Sequence, residues 1–139
     1  MTLNELKIKC IKLLELQSEE ITESNIQNAS NYEDIEYNAL EAINRCIALR
    51  LIKEKKLYLP DFNGIEHLVN PTTNEIEGIP YELLIIIPYF VAGELGLEDD
   101  ASRAAFNTNK FESYLARLEN AKEYQEQTGH IEVIYSQDM

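Results

Sequence analysis

A chain of 139 residues carries 25 acidic against 12 basic residues, a formal net charge of −13. That balance argues against nucleic-acid binding by phosphate neutralisation and against docking on anionic membranes, both of which need clustered Lys and Arg. With 45% hydrophobic and 27% charged residues, the length fits one domain able to bury a core without staples.

The first expected element lies in "TLNELKIKCIKLLELQ". Leu3, Leu6, Cys10, Leu13 and Gln17 recur at spacings of three and four, the signature of an amphipathic helix. Thr2 or Asn4 can cap it. Its start alternates charge and leucine, so no secretory leader is expected. "SEEITESNIQNASN" follows, polar and acidic, with only Ile21 and Ile26 as anchors; it reads as a loop or a weak helical turn.

"YEDIEYNALEAINRCIALRLIKEKK" predicts a second helix, capped by Ser30 or Asn31 and acidic at its positive end. Ala39, Ala42, Ile43, Cys46, Ile47 and Leu51, with Ile35, form its broad apolar face. Its end concentrates Arg45, Arg50, Lys53, Lys55 and Lys56. Such a cluster suits a helix C-terminus through the dipole, or an acidic partner's surface.

"LYLPDFNGIEHLVNPTTNEIEGIP" changes character, with three prolines and two glycines. "IEHLV" and "NEIEGI" flank the turn signal Asn70-Pro71-Thr72-Thr73, which predicts a small β-hairpin at about 65–79. His67 and Val69 on it are candidate protein contacts.

The most apolar stretch is "LLIIIPYFVAGELGL". It predicts a third helix, opened by Pro80, bent at Pro88 and ended by Gly96 in a left-handed conformation. Its apolar run is too short to span a bilayer, which needs about 20 residues. A helix apolar almost all round must be buried almost all round. A neighbouring subunit is therefore expected to cover part of it, with Ile85, Ile86 and Tyr89 as candidate contacts. "EDDASRAAFNTNKFESYLARLENAKEYQEQ" predicts a fourth helix, capped by Asp99 or Asp100. Ala104, Thr108, Phe111, Leu115 and Leu118 repeat at four-three-four-three. Thr128-Gly129 should stop it. In the remaining "HIEVIYSQDM", Ile131, Val133 and Tyr135 alternate; too short to fold alone, the tail reads as either a frayed end or a strand offered to another chain.

Groups for catalysis are sparse. Cys10 and Cys46, far apart and within apolar patterns, read as reduced core thiols. With His67 and His130 they match no zinc spacing. Glu98, Asp99 and Asp100 fit a helix cap better than a magnesium site, since no phosphate cradle accompanies them. No serine lies in a nucleophile elbow. The eight tyrosines suit core edges and protein contacts, because no basic groove accompanies them for base stacking. Neither catalysis nor a metal or cofactor is expected.

The stretch "LLIIIPYFVAGELGLEDDASRAAFNTNKFESYLARL" resembles the C-terminal helical pair of small head–tail connector proteins of tailed bacteriophages, the adaptor and head-completion type. The likeness rests on Pro88-Tyr89 closing the apolar run, Ala92 and Leu95 at helical spacing, and the acidic corner at Asp99 and Asp100. It continues through Phe111, Glu112, Leu115 and Leu118. The resemblance implies a virion structural protein, present in the host cytoplasm during assembly. Its subunits would form a ring with copies of themselves, between the portal protein and tail-side connector proteins. DNA would pass the channel without specific binding, which the negative charge favours. The implied fold is mainly α. A compact four-helix domain spans residues 1–129, with the hairpin between helices two and three and an extended C-terminal arm at 130–139. A small helical regulatory protein docking on a host or phage partner through the 45–56 cluster is the alternative; an enzyme with an acidic site ranks last.

Overall fold

The computed structural model describes residues 1–14, 32–54, 57, 59, 62–97 and 100–128. Among these the chain is mainly helical and forms no strand. Helix α1 spans Leu3–Leu14. Thr2 caps it, its hydroxyl oxygen accepting the Glu5 amide at 3.0 Å. Leu3, Leu6 and Cys10 are buried as the periodicity requires, and Ile8 and Ile11 join them.

Helix α2, Tyr32–Cys46, runs on into a wider π-helical stretch, Ile47–Glu54. Ala39, Ala42, Ile43, Cys46, Ile47 and Leu51 all lie at 2% exposure or less, so the expected apolar face stays aligned across the change in pitch. A Lys7–Glu36 ion pair at 2.8 Å joins this helix to α1. The expected caps Ser30 and Asn31 lie outside the described residues.

The β-hairpin expected at 65–79 is not formed. "IEHL" is a 3₁₀ turn, Ile65–Leu68, held from a distance: the Asn44 side-chain oxygen accepts the Ile65 amide at 2.8 Å. Only an isolated bridge joins Val69 to Ile76. The turn itself falls where Asn70-Pro71 signals it, with the Asn70 side-chain oxygen accepting the Thr72 and Thr73 amides. The segment leans on the start of the chain, where Ile76 donates to the Met1 carbonyl and Leu3 to that of Asn74.

The third predicted helix is two pieces: a single turn, α3, Tyr81–Leu84, and α4, Ile87–Leu95. Pro88 has no N–H to give to the preceding turn. The chain therefore breaks at Ile85–Ile86 and starts again, which places Pro88 in the first turn of α4, where a donor is not needed. Pro80 stands just before α3, as its cap residue. Gly96 ends α4 at φ −86°, ψ −4°, right-handed and not left-handed as expected. The turn continues through Gly96, whose carbonyl accepts the Asp100 amide at 3.0 Å. Asp100 then caps helix α5, Ala101–Thr128, by accepting the Arg103 amide at 3.0 Å.

Helix α4 is the centre of the fold, packed against α1, α2 and α5. Leu84, Ile86, Ile87, Val91 and Ala92 are at most 2% exposed. The chain's own helices therefore enclose most of the stretch expected to need a neighbour. Ile85, Tyr89, Phe90 and Leu95 stay half-buried. From α5, Ala104, Phe111, Leu115 and Leu118 enter the core, while Thr108 is exposed and Asn107 is buried instead. Arg45–Glu94 and Arg50–Glu112 ion pairs bind the α2 end to α4 and α5. No helix among the described residues is long and apolar enough to cross a membrane.

Candidate functional site

The break before Pro88 has a consequence at the surface. It leaves a step between α3 and α4, and a cleft of about 460 Å³ opens over it. Ile85, Ile86 and Pro88 form the floor, and Leu13 of α1 extends it. Tyr81, Tyr89 and Tyr114 supply the aromatic walls, and Lys9 and Lys12 stand on the α1 lip. This volume falls in the range of ligand clefts, about 300–1,000 Å³. None of the nine lining residues among those described is acidic.

The opposite lip is built by α5. Lys110 sits 4.8 Å from the ring centre of Tyr89 and 5.6 Å from that of Phe106. Arg117 lies 5.6 Å from the Tyr114 ring. Tyr89 and Tyr114 pack against each other at 5.7 Å. These are cation–π distances, which hold the charges over aromatic faces at the surface. Phe106 and Tyr81 remain 62% and 56% exposed. An apolar floor, tyrosine walls and basic lips suit contact with a protein surface that is apolar and acidic.

Of the residues singled out from sequence, Ile85, Ile86 and Tyr89 meet in this cleft, although Ile86 contributes only 1% exposure. His67 and Val69 lie elsewhere, on the 3₁₀ turn and the isolated bridge; His67 is exposed and Val69 half-buried. Ile131, Val133 and Tyr135 lie outside the described residues. Sequence reasoning missed the cations and Phe106, though Phe106, Lys110, Tyr114 and Arg117 follow one another at four, four and three. That spacing places them on one helix face.

Among the described residues no three His, Cys, Asp or Glu side chains converge to hold a metal ion. Cys10 and Cys46 are buried and unpaired with each other. Burial pushes both thiols far above their ordinary range, which keeps them protonated and chemically quiet. A smaller pocket of about 150 Å³ lies at the α4–α5 corner, between Leu14, Ala92, Gly96 and Asn107. Comparison of the chain with protein-family models, curated proteins and solved structures finds no match.

Proposed function

We propose that the chain is a virion structural protein of a tailed bacteriophage, a head–tail connector subunit that assembles as a ring between portal and tail and performs no catalysis. The observation that carries this reading is the fit between the resemblance and the α4–α5 pair. The stretch that resembles the connector family folds as two helices joined at a capped acidic corner. Of its marker residues, Pro88, Ala92, Phe111, Leu115 and Leu118 are buried there, while Tyr89, Leu95 and Glu112 are half-buried. The apolar centre of α4 is used up within the subunit, so subunit contacts in this reading fall to the exposed aromatic face around Tyr81, Tyr89 and Phe106. A charge of −13 suits a channel wall past which DNA slides, because like charges repel. The regulatory alternative is weakened by Arg45 and Arg50, two members of its docking cluster, which are paired within the fold.

The test is the protein content of purified mature particles made from the genome that encodes the chain. The proposal expects a fixed number of copies per particle that survives salt washing. Its absence from tailed particles would remove the connector reading.

A further inference from the structure

We infer that the pocket at the α4–α5 corner is a binding site for a small free α-amino acid, held as its zwitterion by Asp100, Arg103 and Asn107. The site is independent of the connector reading and is tested without it. Three observations carry it.

The first is a buried amide with nothing to bond. Asn107 is 4% exposed, and its side chain has no hydrogen-bond partner among the described residues. A buried amide left unpaired loses its hydration and gains nothing in return, so one kept in a native fold calls for an explanation. Asn107 lines the pocket, where a ligand can supply the missing bonds. The second is a pair of opposite charges that do not neutralise each other. Asp100 and Arg103 line the same pocket, three residues apart at the start of α5, a spacing at which opposite side chains commonly pair. Here the Asp100 carboxylate accepts the Arg103 backbone amide at 3.0 Å. No carboxylate among the described residues lies within ion-pair distance of the Arg103 guanidinium, whereas Arg45 and Arg50 each hold one.

The third observation is size. The pocket measures about 150 Å³, a volume that accepts a molecule of about six non-hydrogen atoms. Leu14, Ala92 and Ala104 give it apolar wall. L-Alanine is of that size. Charge then decides between ligand classes. A lone anion would meet Asp100, which Glu98 and Asp99 precede in sequence. A lone cation would leave the Arg103 charge uncompensated. A molecule carrying both charges satisfies both groups. Its ammonium donates to the Asp100 carboxylate, and its carboxylate accepts from the Arg103 fork and the Asn107 amide N–H groups. The positive end of α5 favours that carboxylate, and a short aliphatic side chain suits the wall of Leu14 and Ala92.

The experiment is equilibrium dialysis of labelled L-alanine against the full-length chain. The wild-type chain should bind it saturably, one molecule per chain. Propionate, which lacks the ammonium, and ethylamine, which lacks the carboxylate, should each compete at least about tenfold more weakly than unlabelled L-alanine. Asp100→Asn keeps a capping side chain and removes its charge, and Arg103→Gln removes the guanidinium. Each should weaken binding by about tenfold or more. Asn107→Leu should abolish binding while its melting temperature holds or rises, which separates loss of the site from loss of the fold. Asp100 is exposed and Arg103 half-buried, so their variants report on the site even where Asn107→Leu disturbs the core. A wild-type chain without saturable binding overturns the inference and leaves a pocket filled by water. So does binding that survives Asn107→Leu, or propionate that competes as well as L-alanine. None of these outcomes bears on the connector reading, which particle content decides.

Discussion

Gly93→Ala tests the closest approach in the fold. Gly93 is buried in α4 where α5 passes over it. A Cβ there would overlap the Thr108 Oγ1 and lie 3.2 and 3.3 Å from the Thr108 backbone N and Cα. The exposed Thr108 hydroxyl can swing away, but the backbone of α5 cannot, so the helices must part by a few tenths of an ångström. Replacing a helical glycine by alanine gains about 1 kcal/mol of helix propensity. Overpacking a tight contact costs about 1–3 kcal/mol. With two backbone contacts involved the strain dominates, and a net loss of about 1–2 kcal/mol is expected. For a chain of this size that lowers the melting temperature by about 3–8 °C. Thermal unfolding followed by circular dichroism reads it. The same change in a Thr108→Ala background should cost less, because the hydroxyl overlap is gone while the backbone contacts remain. If Gly93→Ala melts at or above the wild-type temperature, α4 and α5 do not approach this closely, and the corner geometry is wrong.

Phe111 is fully buried and meets Phe90 edge-on at 5.3 Å. Phe111→Ala should therefore cost about 3–5 kcal/mol in denaturant unfolding; an unchanged midpoint would remove it from the core. Asn107 is 4% exposed, and its side chain makes no hydrogen bond among the described residues. Asn107→Leu should raise stability by about 1–3 kcal/mol by removing a desolvated amide, whereas a loss would mean that the amide is bonded through water. The thiols give a pH dependence. Burial raises both folded pKa values, while an unfolded thiol ionises near 8.5. Above that pH the unfolded chain binds fewer protons than the folded one, so stability falls as pH rises, by about 2 kcal/mol per thiol at pH 10. Replacing Cys10 and Cys46 by Ala should flatten the stability slope between pH 8 and 10; an unaltered slope would place the thiols in contact with water.

Helices α1, α2 and α5 were legible because each buries one stripe, and periodicity alone then names the core residues. Ala39 through Leu51 on α2 and its π-helical continuation, and Phe111, Leu115 and Leu118 on α5, needed nothing beyond spacing. The 65–79 segment was misread because its 3₁₀ turn depends on Asn44, 21 residues earlier, which local propensity does not register. Its β-like composition was then overridden by tertiary contact. Pro88 was read as a bend and is a break. The cost of a missing donor favours restarting the helix over stretching it. The excess apolar surface assigned to Leu84–Leu95 came from counting one helix alone. With α1, α2 and α5 all packed on α4, few of those side chains are left over. The cleft was half-visible for a similar reason. Ile85 and Tyr89 stand out in a linear reading, but Lys9, Lys110 and Tyr114 reach them only through the packing of distant helices.

The proposed function places copies of this chain in a ring on a phage portal. Electron microscopy of the full-length protein incubated with its portal tests that most directly. The account predicts a second ring of density beneath the portal, containing this chain. A portal that emerges bare from a saturating excess of the protein would contradict it.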